Sequence, residues 1–463
     1  VGRIVDAARE DDSEVFVEEV QRKVRGVRRR RRLPGVAAAA ALLVLGFTLF
    51  MLRPETAATV VRSEVVGGNV AWVQGETLRS GDRLNFGAGL VELEMAGRGR
   101  MILEGPVDLE FQGAMRAVLH RGRVLMRVSE AGHGYRLETA QGSVVDLGTE
   151  FGVAIDEETG KVETHVLDGE VNAVTAEGET ILLKKDDALR FENGASVRIP
   201  ADSGAFYSEL PPRHSGRPNL VHWGMDVVDG GVVRAEVDGL DGRQFDLVLA
   251  AMDEGGPPRR VDGPFGAALE FDGKGSYAET DFRGIGGEQP RTVAFWVRVP
   301  EDFSQREGFG IVSWGRRATP TVRDGVWQIS INPLEKDGPV GRLRVGTHGG
   351  IAVGTADLRD GAWHHVAVVL YAAANPDVGK HVLLYVDGEL EPISRRTLGE
   401  VHTEVDNAKH GVWVGRNVTY LWDVPWHAHG GFFRGGVDEL FIFDAALTHG
   451  EIRALKERNE GPR

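Results

Sequence analysis

Aromatic and histidine side chains are concentrated in one short stretch of the sequence, YLWDVPWHAHGGFF at 420–433. Because it contains proline and glycine between two strand-like segments, this stretch is predicted to be a loop that displays its rings. Displayed rings stack on sugars or pack against protein surfaces. The candidate ligand-binding residues are Tyr420, Trp422, Trp426, His427 and His429. Two alternatives stay open: the two histidines suit a metal but lack a third ligand, and the rings could cover a sheet edge or the preceding domain.

The composition of the chain excludes several kinds of chemistry. The 463 residues include no cysteine, which rules out disulfides, thiol nucleophiles and zinc–thiolate sites. Residues 1–35 carry ten Lys/Arg and seven Asp/Glu, a net charge of +3, so the total of −15 leaves −18 for residues 36–463. An acidic bulk offers no electrostatic footprint for nucleic acid, and no nucleic-acid partner is predicted.

Short strands are predicted to position these side chains. The 62 glycines are dispersed and often adjoin Asp, Asn or Lys, which is typical of tight turns between strands. Short runs of alternating apolar and polar residues therefore predict an all-β chain with domains at 60–200 and 220–463. Residues 201–219 between them contain several prolines and are predicted to be a stiff linker. A terminal helix is predicted to begin after Thr448, with Glu451 completing its capping box.

One apolar run precedes both domains. Val36 to Leu52 is 17 residues long without a charge, which is enough for a short transmembrane helix. A cleaved signal peptide and a buried core helix fit less well, because more than thirty residues come first and the run has no polar stripe. Arg28 to Arg32 lie directly before the run, which places the N-terminus in the cytoplasm. The sequence therefore predicts a single-pass protein of the inner (cytoplasmic) membrane with its bulk in the periplasm or otherwise extracytoplasmic.

Residues 1–35 are predicted to form a cytoplasmic amphipathic helix with a basic flank. Phe16, Val20, Val24 and Val27 recur at helical spacing. A single helix cannot bury such a stripe by itself. Docking onto a cytoplasmic partner and lying along the membrane surface are both open.

The first domain resembles the FecR family. The strings VVDLGTEFGVAID, THVLDGEVNAV and LLKKDDALRF carry the resemblance. The matching positions are Gly148, Thr149, Phe151, Val153, Val166, Gly169 and Val171, and in an earlier turn Gly81, Asp82 and Leu84. We interpret them as structural, with glycines at positive φ and apolar residues in the core. FecR-like proteins are single-span envelope regulators that sense a signal outside and control an extracytoplasmic-function sigma factor inside, so the resemblance implies a cytoplasmic sigma factor as partner.

The second domain resembles the LamG-like jellyroll, a concanavalin A-like sandwich of two antiparallel sheets. Its motifs occur in the family order, at 271–279, 292–297, 363–368, 385–388 and 435–452. The resemblance implies binding of a glycan or a protein and, in many members, one structural calcium ion. The positions that match the calcium site are Asp272 and Asp438, since carboxylates suit calcium. The alternative is a hairpin turn at Asp272 and a strand-end carboxylate at Asp438.

Glycosidases also use this fold, so paired carboxylates are the test for an enzyme. Retaining members carry E-x-D-x-x-E along one strand, and the nearest string here, EVDGLDG at 236–242, ends in Asp and is broken by glycines. Asp438 and Glu439 are adjacent, and on a regular strand they would point to opposite faces. No catalytic residue is assigned, and the chain is predicted not to be an enzyme.

Taken together, these features predict a single-span envelope protein of FecR type. The LamG-like domain would bind an extracytoplasmic glycan or protein, and the FecR-like domain would relay its occupancy to a sigma factor. The alternative is a membrane-anchored carbohydrate- or protein-binding module without a signalling role.

Overall fold

Three β-sheets account for most of the described chain. The structure, a computed structural model, describes residues 55–462 except 67–72, 158, 193, 239–244, 253–254, 304–309, 317–324, 348 and 418–430. This part of the chain contains one α-helix and confirms the predicted all-β class. No helix in it combines the length and the apolar character needed to cross a membrane. The predicted transmembrane helix at 36–52 and the predicted helix within 1–35 lie outside the described residues.

The first sheet is built from the strands between residues 56 and 200. Its strands are β1 Thr56–Val66, β2 Thr77–Arg79, β3 Arg83–Phe86, β4 Ala88–Glu94, β5 Gly99–Gly113, β6 Arg116–Val128, β7 Arg136–Thr139, β8 Gly142–Asp146, β9 Glu150–Ile155, β10 Val162–Asp168, β11 Glu170–Thr175, β12 Thr180–Lys184, β13 Asp187–Glu192 and β14 Ala195–Pro200. The main path runs β12-β11-β8-β7-β6-β5-β4-β1-β2, while β9 and β10 connect β6 to the β13–β14 hairpin. All described pairings are antiparallel except β6 with β7.

The motif residues of the first domain have the structural roles expected from the sequence. Phe151 on β9 lies opposite Val166 on β10, and both side chains are fully buried in the core of the first sheet. Gly169 has φ +80°, and a Cβ there would come within 2.5 Å of the Gly148 carbonyl oxygen. Because other residues fit neither this conformation nor this contact, glycine is required.

The remaining strands form two further sheets. They are β15 Leu220–Trp223, β16 Val228–Asp229, β17 Val232–Val233, β18 Glu236–Val237, β19 Leu247–Ala251, β20 Arg259–Gly263, β21 Gly266–Asp272, β22 Ser276–Glu279, β23 Arg291–Arg298, β24 Val312–Arg316, β25 Gly325–Ile331, β26 Leu343–Gly346, β27 Ile351–Val353, β28 Trp363–Leu370, β29 Val382–Val386, β30 Glu389–Leu390, β31 Arg395–Thr397, β32 Trp413–Val414 and β33 Arg434–Phe443. The second sheet runs β18-β15-β33-β23-β28-β29-β30, with the β20–β21 hairpin also paired to β33. The third runs β16-β17-β19-β22-β32-β24-β25-β26-β27-β31.

The second and third sheets face each other as a sandwich. Alternate residues of β23, including Phe295, point into a core that also holds Trp314 and Trp327 of the third sheet, as the period of two along a strand requires. The helix α1, His449–Arg458, packs Ile452 and Leu455 on the outer face of the second sheet. Thr448 and Glu451 form the predicted capping box.

Residues 201–219, predicted to be a stiff linker and called the connecting segment below, pack in part between the first sheet and the sandwich. Phe206, Tyr207 and Leu210 are buried there. We call this region the joint. It comprises Leu90, Ile102 and Leu125 of the first sheet, Phe206, Tyr207 and Leu210, and residues of the second sheet and α1 that include Val369, Tyr371, Leu383, Phe443 and Ile452. Residues from Thr56 onward accordingly form one compact unit.

Candidate functional site

The described residues that flank the predicted aromatic site lie next to each other. Arg416 and Phe432 form a β-bridge, and the Asn417 N–H donates to the Gly431 carbonyl at 2.7 Å. The predicted ligand residues Tyr420, Trp422, Trp426, His427 and His429 all lie outside the described residues. The structure therefore locates the base of this segment at one end of the sandwich.

A cation and several rings form that base, which we call the shelf: Tyr277, His410, Trp413, Arg416 and Phe432. The Arg416 guanidinium lies 3.8 Å from the Trp413 ring centroid and 5.0 Å from that of Tyr277, within the range of cation–π attraction. The His410 ring lies 4.5 Å from Trp413. Burial, with the Glu279 carboxylate second, raises the pKa of Tyr277.

The sequence pattern of this region indicated strands but not the shelf. Tyr277, on β22, belongs to the motif at 271–279, and Trp413 begins β32. The pairing of β22 with β32 brings them together, and more than 130 residues of sequence separate them. The sequence did show aromatic residues at the ends of predicted strands. It did not show which strands pair, and therefore not which of these rings contact each other.

Asp272 organises a turn beside the shelf. Its carboxylate accepts backbone N–H bonds from Gly256, Lys274, Gly275 and Ser276 at 2.8–3.1 Å. Burial opposes ionisation, but these four bonds prevail and lower the pKa of Asp272. The Gly273 N–H donates to the Phe433 carbonyl. This bond connects the turn to the C-terminal end of the aromatic segment, the stretch at 420–433. Protein donors thus already occupy both carboxylate oxygens.

Asp438 occupies a different environment. It is fully buried on β33, where Oδ2 accepts the Phe265 N–H at 3.4 Å. Burial, then Glu439 and Asp226, raise the pKa of Asp438 to about 7. Glu439 has φ +52° at a register shift between β23 and β33, and its carboxylate lies 2.5 Å from His222 Nε2. Because of this bulge, Asp438 and Glu439 are both buried, whereas a regular strand would send them to opposite faces.

The structure does not bring Asp272 and Asp438 together. Asp272 faces Arg434 across the β21–β33 ladder, so Asp438 lies four positions further along β33, a separation of about 13 Å. One calcium ion cannot bridge carboxylates that far apart. No group of three or more His, Cys, Asp or Glu suited to a metal occurs among the described residues. The two residues do not fit one shared site, and calcium binding stays a prediction from the sequence.

A buried ion pair crosses the joint. Arg396 Nη2 of β31 donates to Glu104 Oε1 of β5 at 2.8 Å, and both side chains are less than 8% exposed. Burial disfavours the charge, but Glu104 and neighbouring groups raise the pKa of Arg396, so it stays protonated. The same guanidinium lies 4.1 Å from the Tyr207 ring centroid. Arg396 thus contacts both the first sheet and the connecting segment.

A further hydrogen bond fastens the connecting segment to the second sheet, because the Tyr207 hydroxyl donates to the Val382 carbonyl at 3.1 Å. The Tyr371 hydroxyl, which donates to the Lys380 carbonyl of the sandwich at 2.7 Å, also lies 3.4 Å from the Glu209 carbonyl of the segment. On the other side, the Phe206 ring lies against Gly152 of β9, where an added Cβ would come within 2.5 Å of it. Neighbouring side chains of one segment therefore hold the first sheet and the sandwich.

Two family models match separate parts of the chain. Residues 103–172 match the model described as FecR protein. Residues 272–453 match the model described as Concanavalin A-like lectin/glucanases superfamily. These matches confirm the predicted fusion of a FecR-like domain with a concanavalin A-like jellyroll. A comparison with curated proteins gives no match.

Several solved structures are similar in part. Domain 4 of AbnA, a GH43 extracellular arabinanase from Geobacillus stearothermophilus in complex with arabinotriose, is 22% identical with a TM-score of 0.36, over 52% of this chain and 100% of that domain. A "putative anti-sigma factor" from Parabacteroides distasonis is 17% identical with a TM-score of 0.24, over 27% of this chain and 62% of that one. The binding domain of Paraclostridial Mosquitocidal Protein 1 is 14% identical with a TM-score of 0.31, over 52% of each chain. At such scores these similarities carry no functional argument.

Replacing Asp438 by Asn is expected to remove a pH dependence from stability. The folded pKa is about 7, whereas an unfolded Asp titrates near ~3.9. Between these values the unfolded chain ionises while the folded carboxyl stays protonated, so the wild type loses stability as the pH rises. The free energy of unfolding of Asp438→Asn minus that of the wild type should increase by about 2–3 kcal/mol from pH 5 to pH 8. Urea unfolding at both pH values measures it.

The matched control for this experiment is Asp262→Asn, because Asp262 is exposed on the neighbouring β20. The difference in the free energy of unfolding between Asp262→Asn and the wild type should be the same at pH 5 and at pH 8. If Asp438→Asn also parallels the wild type, Asp438 ionises normally and its proposed neutral state is wrong.

Replacing Arg396 by Met is expected to destabilise the joint by about 2–4 kcal/mol, because Glu104 would stay buried without its main partner. Arg123 Nη1 lies 3.5 Å from Glu104 Oε1 and compensates only in part. The double variant Glu104→Gln/Arg396→Met leaves no buried charge and should recover most of the loss. Denaturant unfolding of the wild type, Arg396→Met and the double variant measures the loss of stability and its recovery.

Arg453→Met is the control for the loss of an arginine, since its partner Glu457 is about half exposed. Arg453→Met should lower the free energy of unfolding by less than about 1 kcal/mol. A loss no larger for Arg396→Met than for Arg453→Met would mean that water reaches the Glu104–Arg396 pair and that the joint is not closed.

Proposed function

We propose that this chain, a FecR-like domain joined to a concanavalin A-like jellyroll, is a single-pass envelope receptor of FecR type. The jellyroll binds an extracytoplasmic glycan or protein. The FecR-like domain relays occupancy across the membrane through a span at 36–52. Residues 1–35, in the cytoplasm, act on an extracytoplasmic-function sigma factor.

The joint is the observation that supports a relay most directly. A flexible tether between two domains would let each move without affecting the other. Here the Glu104–Arg396 pair and a shared apolar core connect them. A change in the sandwich that shifts β31 or the outer face of the second sheet would therefore alter contacts of β5 as well.

The ligand end in this proposal is the shelf together with the aromatic segment at 420–433. The half-buried Tyr277 and the exposed His410 border that segment. Trp422, Trp426 and their neighbours would supply further rings. Rings and a nearby cation suit a sugar or an aromatic protein side chain. No paired carboxylates are invoked, so the role is binding without catalysis.

A membrane-anchored binding module without signalling is the second candidate. The relative extent of the family matches favours it, because the lectin-type model covers residues 272–453 and the FecR model only 103–172. In that case the joint would serve to hold the jellyroll in a fixed orientation to the FecR-like domain. The two candidates differ in what residues 1–35 bind.

Capture of a sigma factor by the membrane-embedded full chain tests the regulatory role. When the wild type is purified from cells that also express an extracytoplasmic-function sigma factor, it should retain that sigma factor. Val24→Asp places a charge in the apolar stripe and should reduce retention about tenfold or more, because the charge must be buried on docking. Gln21→Asp adds the same charge outside the stripe and should change little. Immunoblotting of the eluate measures retention.

Failure of the wild type to retain any such sigma factor would leave the anchored binding module as the function. Equal loss in Val24→Asp and Gln21→Asp would show that charge alone, without a docked stripe, controls retention.

Binding of carbohydrate on a glycan array tests the ligand end. Trp422→Ala/Trp426→Ala should lower affinity for the glycans that the wild type binds by about tenfold or more, since stacked rings dominate such contacts. Circular dichroism should show unchanged folding. Val227→Ala, at an apolar side chain that is 68% exposed elsewhere on the sandwich, is the control. Full retention by the double variant would exclude the aromatic segment as the site.

A further inference from the structure

A cleft lies at the end of the sandwich opposite the shelf. It has a volume of about 320 Å³ and is lined by Glu288, Asn375, Pro376, Glu400, Val401 and His402. Arg291 and Leu370 pair at this end of β23 and β28, whereas Arg298 and Trp363 pair at the other. The volume falls within the range of small-molecule sites.

The wall that carries Glu288 is built around a buried arginine. Arg291 is fully buried, and its guanidinium donates to the carbonyls of Ile285, Gly286, Gly287 and Gln289 and to the Thr403 hydroxyl. Burial lowers the pKa of Arg291 to about 9, so it keeps its charge at neutral pH. The Gly287 and Thr403 backbones also exchange hydrogen bonds at 2.7 and 3.1 Å. This wall is therefore held in one conformation.

The other two walls are hydrogen-bonded to each other. Asp377 and Glu400 form a β-bridge, and the Val401 N–H donates to the Pro376 carbonyl at 2.8 Å. The Asp377 carboxylate accepts the N–H groups of Gly379 and Gly399, both at 2.8 Å. The backbone of the cleft is fixed in this way, so a ligand would have to order only the exposed side chains that line it.

The chemistry of the lining selects the ligand. Two carboxylates, an amide and an imidazole surround a floor of buried Pro376 and Val401, and the lining contains no Lys or Arg. Anions are disfavoured by charge, whereas an ammonium group gains charge-assisted hydrogen bonds to carboxylates. Asn375 and His402 suit hydroxyl groups, and the apolar floor suits a saturated ring. We propose that this cleft binds a positively charged amino sugar of one or two rings.

The cleft is also connected to the joint, and this step rests on the proposed function. His381 Nδ1 accepts the Asp377 N–H at 2.8 Å, one residue from Pro376 of the cleft. The next residue, Val382, accepts the Tyr207 hydroxyl, and Tyr371 bonds the Lys380 carbonyl. A ligand that immobilises residues 375–377 thus stabilises the segment that fastens residues 201–219 to the sandwich.

Isothermal calorimetry of the full chain in detergent tests the site, with the β1,4-linked glucosamine disaccharide as the probe. The wild type should bind it saturably, and affinity should fall as salt is raised. The N,N′-diacetylated disaccharide, which lacks the charge, should bind at least about tenfold more weakly. Glu288→Gln should weaken binding of the charged probe by about tenfold, because it removes one carboxylate and keeps the shape.

Glu301→Gln is the matched control, since Glu301 is exposed and lies on the chain just beyond the opposite end of β23. It removes the same charge and should leave the affinity unchanged. Absence of saturable binding, equal binding of the acetylated disaccharide, or equal affinities of Glu288→Gln and the wild type would each overturn the proposal.

Hydrogen exchange separates the site from its connection to the joint. Saturation with the charged disaccharide should slow exchange of backbone amides in 377–382 and in 206–210. Protection at 377–382 alone would establish the site and refute the connection. The calorimetric measurement involves only this chain and the disaccharide, so it does not depend on whether a sigma factor is retained. Failure of the proposed function and failure of the cleft are therefore distinguishable.

Discussion

The buried Glu104–Arg396 pair is the interaction on which the arrangement of this chain depends. Its charges lie in a largely apolar region, and Glu104 Oε2 has no hydrogen-bond donor among the described residues. Such a pair contributes little net stability compared with apolar side chains of the same size, but separating it leaves a buried charge. The apolar contacts of the joint hold the first sheet and the sandwich together, and the ion pair restricts them to one relative orientation. Rotation of the sandwich against the first sheet would break it.

The joint also links the two layers of the sandwich. Val369 and Leu383 belong to the second sheet, whereas Arg396 lies on β31, the last strand of the third. The connecting segment therefore contacts one layer through apolar side chains and the other through a charge. The shelf lies at one end of these layers and the cleft at the other. A ligand at either of these two proposed sites would therefore act on a body whose attachment involves both sheets.

Patterns within short stretches of sequence predicted the local structure well. Alternation predicted the strands, and Thr448 with Glu451 predicted the start of α1, because both signals involve residues close in the chain. The core positions of Phe151 and Val166 followed in the same way. Each of these features depends on side chains that neighbours in sequence can specify.

Features that depend on distant partners did not follow from the sequence. Prolines in 201–219 predicted a stiff linker, but they did not reveal the burial of Phe206 and Tyr207, which depends on surfaces contributed by β9 and β29. Asp272 and Asp438 matched one family site, but the register of β21 on β33 sets them four positions apart. The bulge at Glu439 also changes which way its side chain points, and a regular alternation cannot reveal a single positive φ.

The burial of the connecting segment has a consequence for limited proteolysis. Phe206, Tyr207 and Leu210 are buried, whereas Pro212, Arg213 and Ser215 to Arg217 are exposed. An endopeptidase that clips the exposed stretch cuts the covalent connection but leaves the shared core and the Glu104–Arg396 pair in place. The jellyroll of a nicked molecule then stays attached without a continuous chain, and its release requires the interface itself to open.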